Sequence, residues 1–344
     1  MNIQQLFGID FPIIQAPMAG VQTSALVIAV SNAGGLGSLP CAMLTPELLQ
    51  SELATIRLAT TRPYNINFFC HVLPVPDPAR EAQWRAALAP YYAELGIDPD
   101  SVPTGSGRAP FSNDIADIIE PFKPPVISFH FGLPPPALLQ RVKSWGSKVL
   151  SSATTVEEAR WLEAHGADAI VAQGLEAGGH RGMFLSEDLS TQIGTLALLP
   201  QVIRTVRIPV IAAGGIADAN GVKAALALGA AGVQVGTAYM LCNEATTSTL
   251  HRAALKSSRT EHTVLTNLIT GRPARGILTR LMKELGPLSG APPAFPLATA
   301  ALLPLKIVAE KLGLDDFSTL WSGQNASGCC EIPAAALTRL LARA

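Results

Sequence analysis

The sequence predicts an α/β fold: a (β/α)8 TIM barrel with an additional, mainly helical cap subdomain. Three observations point there. Eight short apolar runs alternate with helix-like segments along the 344 residues. The runs are apolar throughout, as strands buried on both faces of a parallel sheet are. The unusual residues Gln15, Asn67, His130, Gln173, Gly214–Gly215 and Gly236–Thr237 lie at or just past the C-terminal ends of different runs. In a barrel those ends surround one pocket, which favours it over an open doubly wound sheet.

The first strand is "FPIIQAPM" (11–18), followed by an apolar helix near 24–32. "GLGSLP" (35–40) precedes a helix that starts near Thr45, with Pro46 in its first turn. "YNINFF" (64–69) is third, and "PPVISFHFG" (124–132) leads into a proline-started helix. "SKVLSSA" (147–153) precedes "TTVEEARWLEAHGA", where Thr155 and Glu158 have capping-box spacing and Gly166 suits a C-cap. "DAIVAQG" (168–174), "IPVIAAGG" (208–215) and "AGVQVGTAYM" (231–240) complete the set, with the helical "DANGVKAALALGA" between the last two. The barrel then covers residues 1–73 and 124–249. Proline-rich residues 74–123 interrupt it after the third strand, and residues 250–344 read as mainly helical. These two segments are expected to pack together as a cap over the pocket.

Charge excludes some function classes. Lys+Arg total 25 against Asp+Glu 26, with no basic cluster, so no nucleic-acid footprint is visible. The five cysteines are scattered and lack CxxC spacing, which argues for reduced thiols and no metal site. The N-terminus has no secretory pattern, and the apolar runs are too short and too broken to span a membrane. A cytoplasmic enzyme with small-molecule partners is expected. The apolar tail helices suit either a homodimer or the cap alone.

The glycines after the last two strands, Gly214–Gly215 and Gly236–Thr237, can turn backbone N–H groups toward an anion, where barrels often hold phosphate. The ligand could be a substrate phosphate or a cofactor such as FMN. Asn67 and Gln173 are neutral amides that donate and accept at once, which suits the edge of a flavin ring. "QAPM" offers main chain restrained by Pro17. In "QGLEAGGHRG", Gly178–Gly179 would let the backbone pass close to a ligand and deliver His180 to the pocket. Arg181 and Glu176 suit a surface ion pair or loop anchoring. His130 could wall the pocket or position its contents. His71 is a weaker candidate, His165 reads as a helix C-terminal residue, and Cys70 has no evident activating base.

The ordered set "QAPMAGVQTSALVIAVSNAGGLGSL", "YNINFFCH", "ISFHFGLP", "QGLEAGGHRG", "VIAAGGIAD", "VQVGTAYM" and "DFSTLWSGQ" resembles the nitronate monooxygenases (formerly 2-nitropropane dioxygenases), most of all their bacterial class I branch. The resemblance spans nearly the whole chain. It implies an FMN-bound barrel that oxidises alkyl nitronates with O2 to a carbonyl compound and nitrite, through one-electron transfer to the flavin. Propionate 3-nitronate, a metabolic toxin, is the implied substrate. Carried over by position, cofactor contacts fall on Ala16, Pro17, Met18, Asn67, Gln173, Gly178, Gly179, Gly214, Gly215, Gln234, Val235, Gly236 and Thr237. His180 matches the active-site histidine, and His130, Lys306 and Gln324 are candidates for the substrate side. A neutral nitroalkane needs a base to remove its α-proton. A nitronate has already lost that proton, so a protonated or hydrogen-bond-donating His180 is the role expected here. The competing function is that of an NAD(P)H-dependent FMN reductase of enoyl thioesters or quinones. A non-catalytic flavin or phosphate binder and a non-redox barrel acting on a phosphate substrate are also compatible with the glycine motifs.

Overall fold

A computed structural model describes residues 2–105 and 108–344. Six parallel strands come first: β1 (Ile13–Gln15), β2 (Gly37–Pro40), β3 (Tyr64–Phe69), β4 (Val126–His130), β5 (Lys148–Ala153) and β6 (Ala169–Gln173). After the short β7 (Gly179–His180), β8 (Val210–Ala213) and β9 (Gly232–Val235) complete an eight-stranded sheet. Its order is β1-β9-β8-β6-β5-β4-β3-β2, and an Ile14–Leu36 bridge brings β1 back to β2. All eight sequence-predicted runs are strands of this TIM barrel.

The continuous apolar pattern explains the layers. Ile14, Leu36, Leu150, Val171 and Ile211 fill the interior together with Ile3 and Phe7 of the N-terminal helix. Alternate residues such as Ile170, Ala212 and Val233 face outward against Leu26, Leu162, Leu198 and Val222 of the surrounding helices. Each large apolar side chain buried this way contributes about 1.5–3 kcal/mol.

The predicted caps are present with one change. The Thr45 hydroxyl accepts from Leu48 N–H at the start of the Pro46–Ala59 helix. Thr155 caps the Val156–Ala164 helix by accepting from Glu158 N–H, but Glu158 does not close the box back onto Thr155. Its carboxylate instead accepts from Thr154 N–H and from Phe184 N–H, 2.7 and 2.6 Å away, and so ties the helix start to the loop after β7.

The Pro78–Glu94 helix packs on the Ala298–Lys311 helix. Trp84 Nε1 donates to Ala298 O and the Tyr92 hydroxyl donates to Ala301 O, inside a cluster with Leu88, Leu302 and Leu305. Two other helices that the sequence assigns to the cap pack on the barrel. The helix Asn113–Ile119 joins Ile56 and Phe68, and the helix Ala334–Leu341 joins Leu26 and Val222. The tail is also less helical than expected. Strands β10 (Thr263–Thr266) and β11 (Ala274–Ile277) form an antiparallel sheet with β7. Their apolar alternation is too short and too interrupted by Thr, Arg and Gly to stand out in the sequence.

Candidate active site

A cavity of about 380 Å³ opens at the C-terminal ends of the barrel strands, under the Ala298–Lys311 helix. The strand ends contribute Ala16, Pro17 and Met18, then Asn67, His130, Gln173, Gly214, Gly215, Gln234, Gly236 and Thr237. The loop after β6 adds Gly178, Gly179 and His180, and the cap adds Lys306, which stands 4.0 Å from Glu310. Val235 is not part of the wall. Side chains alternate along β9, so with Gln234 facing the cavity Val235 points into the helix layer and is buried there. The Gln324 side chain is exposed outside the cavity, and only its N–H is engaged, by Glu176 O.

One end of the cavity is lined by backbone N–H groups of glycine turns. Gly214 and Gly215 have φ of +117° and +73°, which L side chains rarely adopt. The N–H groups of Gly214, Gly215, Ile216, Gly236 and Thr237 have no hydrogen-bond partner among the described residues. Glu176 lies alongside, but its carboxylate is engaged by Thr195 N–H and the Thr195 hydroxyl, the latter 2.8 Å away, so it caps the next helix. The segment 322–325 closes this end: Gly323 N–H donates to Thr237 Oγ and Asn325 Nδ2 donates to Gly215 O, both at 2.9 Å. Gly178 is there for that segment. A Cβ on it would stand 2.5 Å from Gly323 N, so its missing side chain admits the tail rather than a ligand.

The predicted glycine loop is a strand edge, and it places His180. Ala274 of β11 registers with His180, and Arg181 N–H donates to Pro273 O. From the other side, Gln173 Nε2 donates to His180 O at 2.9 Å while Gly182 N–H donates to Gln173 Oε1 at 2.7 Å. The Gln173 amide is therefore engaged by its own loop. Arg181 is fully buried, not at the surface: it donates to Gln192 Oε1, Gly174 O and Gln173 O. Asn67 Nδ2 likewise donates to Ser128 Oγ at 2.9 Å.

His180 Nε2 lies 2.9 Å from the hydroxyl of Thr270, which itself lies 3.3 Å from Arg272 O. With the hydroxyl proton directed to that carbonyl, Nε2–H is the donor to Thr270. Nδ1 is then a free lone pair, since it has no partner among the described residues. Burial, followed by the guanidinium of Arg108 and then His130, Arg272 and His71, holds His180 well below 6.5. That favours the neutral ring, so of the two expected forms, protonated or hydrogen-bond-donating, the donating one fits this surround. His130 is held down to about 4, chiefly by burial. Its Nε2 faces His180 O and its Nδ1 faces Ser152 Oγ. His71 is buried behind the wall, its ring edge-on to Phe295 with centroids 4.8 Å apart. His165 stacks on Trp161 at the end of its helix, and burial pushes the Cys70 thiol up, consistent with an inert group.

Several residues around His180 carried no usable signal in the sequence. Phe69, Phe131, Phe295 and Trp321 enclose His180, with centroids 6.0, 5.9, 5.3 and 5.7 Å from its ring. Phe131 holds a positive φ of 68°, a strained conformation that keeps its ring in this cage. Thr270 and Arg272 come from the β10–β11 connection, and Arg108 from the segment between β3 and β4. Singly they are unremarkable residues in irregular stretches, and only the fold brings them together.

Comparison with known proteins places this geometry. A sequence profile of the family described as nitronate monooxygenase matches residues 2–342. The chain is 44% identical to the nitronate monooxygenase of Pseudomonas aeruginosa, over 98% of this chain and 97% of that one. The structure superposes on nitroalkane oxidase from Streptomyces ansochromogenes with a TM-score of 0.88 and 37% identity, covering 99% and 96% of the two chains. FabK from Thermotoga maritima superposes with a TM-score of 0.71 and 27% identity, covering 100% and 95%.

Proposed function

The chain belongs to the nitronate monooxygenase family, and from that premise we propose that it binds FMN and oxidises alkyl nitronates with O2 to a carbonyl compound and nitrite, propionate 3-nitronate foremost. The observation that carries this reading is one cavity holding both a nest of unpaired backbone N–H groups and the caged His180. The nest fits the phosphate of a mononucleotide: Gly214, Gly215, Ile216, Gly236 and Thr237 would donate to it. Ala16 to Met18 after β1 would border the ring. When bound, the flavin supplies the one-electron oxidation of the nitronate and the reaction with O2.

The residues of this chain bind, orient and exclude water. The rings of Phe69, Phe131, Phe295 and Trp321 cover much of His180 and lower the dielectric around it, so fixed charges act strongly there. A nitronate arrives as an anion and requires no proton removal. Its charge lies in the field of Arg272, which reaches His180. A neutral nitroalkane must first lose its α-proton, and His180 Nδ1 is the free lone pair available to take it.

The purified protein should show oxidised-flavin absorbance, and the released cofactor should be FMN rather than FAD. Anaerobic nitronate should bleach it and NADH should not. Rapid bleaching by NADH, without nitrite release in air, would instead favour the reductase activity.

A further inference from the structure

We propose that Arg108 anchors a second anionic group on the substrate, a carboxylate carried by the same chain as the nitronate, and so sets which nitronates this protein prefers. The proposal rests on the nitronate-oxidising reading of the cavity.

Arg108 lies in the cavity wall, and its Nη1 is buried with no hydrogen-bond partner among the described residues. Its Nη2 meets only the thioether of Met43, a weak acceptor, at 3.8 Å. The guanidinium lies over the Phe295 ring, 5.7 Å from its centroid, and the His180 ring is 5.3 Å from the same centroid. The cation therefore shares one aromatic wall with the histidine.

Three other enclosed arginines are satisfied within the protein. Arg181 donates to three acceptors, Arg252 to the carbonyls of Leu241, Cys242 and Ala245, and Arg275 to Leu175 O and Thr263 O. Arg272 leaves its Nε unpaired among the described residues, but it donates to Met183 O, is covered by the Phe131 ring and does not line the cavity. Lys306, the other cation of the wall, has Glu310 beside it. A buried guanidinium without such partners is destabilising unless a ligand completes it. Its planar fork matches a carboxylate by two parallel hydrogen bonds. The nitronate end then lies against His180 and the carboxylate end against Arg108.

The test uses the flavin-loaded enzyme and its R108Q and R108K variants. Nitrite release is followed with propionate 3-nitronate and with the nitronate of 1-nitropropane, which has the same chain length and no carboxylate. R108Q should lower kcat/KM on the carboxylated substrate by about 10- to 100-fold, mainly through KM, the loss expected for a charge-assisted hydrogen bond. The alkyl nitronate should change by no more than about 2-fold. R108K should recover part of the loss. Succinate should inhibit alkyl nitronate oxidation competitively in the wild type and not in R108Q. Equal losses on both substrates, or no loss on the carboxylated one, would overturn the proposal. A wild type that releases nitrite from neither substrate would overturn the nitronate reading instead. Calorimetry would then still decide Arg108: succinate binding that R108Q abolishes supports the anchor, and absent or unchanged binding refutes it.

Discussion

The Nε2 of His130 lies 3.2 Å from the backbone carbonyl oxygen of His180. The same carbonyl accepts from Gln173 Nε2. A residue on β4 and a residue on β6 thus hold the main chain of the candidate catalytic histidine from below, while β11 holds it from the side. His130 is half-buried and held down to about 4, so in its neutral form one nitrogen can donate to the carbonyl while the other accepts from Ser152. That contact positions the His180 main chain, and the rigid strands beneath give the position its accuracy.

Gln173→Leu tests this support. The change leaves Gly182 N–H without its acceptor and His180 O with one donor fewer. A loss of about 1–3 kcal/mol in urea denaturation is expected. Nitrite release should fall by about 10-fold or more, because a displaced reactive group costs rate steeply. Full activity in a variant destabilised by this amount would show that the 180 loop needs no such tether.

Arg181 is a structural cation at the heart of the same loop. It is fully buried and gives its protons to Gln192 Oε1 and to the last carbonyls of the β6 strand and its turn. Arg181→Met strips these acceptors of their donor, and a destabilisation of about 2–4 kcal/mol is expected in chemical denaturation. Arg181→Lys should rescue little of it, since an ammonium cannot present the planar fork. A near-neutral methionine variant would place the loop's stability elsewhere.

Four histidines give the fold an acid-labile term. Burial holds His71, His130 and His251 down to about 4, and His180 well below 6.5. In the unfolded chain each returns to about 6.5. Between those values the unfolded state binds more protons, so stability is full above about pH 6.5 and falls as pH falls through that window. Each histidine contributes a slope of about 1.4 kcal/mol per pH unit. The urea midpoint should drop between pH 7.5 and pH 5.5. His251→Asn should make the drop shallower by about one proton, because His251 sits outside the His180 cage and bonds Trp321 O. A midpoint flat over this range would show that these histidines titrate normally.

The barrel was legible because its signal is redundant. The strands are mostly apolar and buried, and several end in a residue that the closed fold turns toward one cavity, as Asn67, His130 and Gln173 do. The site was legible where function and strand ends coincide. It was not where the decisive contact is long-range. Thr270 reaches His180 across 90 residues of sequence, and Arg108 enters from an irregular segment. The glycines show the same limit. Gly214 and Gly215 adopt the turn that their doublet suggests, whereas the reason for Gly178, the approach of Ser322 and Gly323, lies nearly 150 residues away. Local pattern marks where a backbone is unusual, and only the fold shows what it makes room for.

The state of His180 sets the last expectation. Its Nε2 is occupied by Thr270 and its Nδ1 is free, while burial and the positive charge of Arg108 and Arg272 keep it neutral. Such a ring is suited to take a proton and adds no cationic charge that could bind a nitronate. His180→Asn should therefore lower nitrite release from neutral nitroalkanes by about 100-fold or more, the range of general-base catalysis. On pre-formed nitronates the loss should stay below about 10-fold and appear mainly in KM. The working form is the deprotonated one. Wild-type kcat/KM on nitroalkanes should therefore hold as pH falls through 6.5 and decline only nearer the lowered value. Steady-state assays with each substrate, freshly prepared as nitroalkane or nitronate, separate the two roles. If nitronate turnover collapses as far as nitroalkane turnover, His180 acts on the anion itself, and the neutral base is the wrong description.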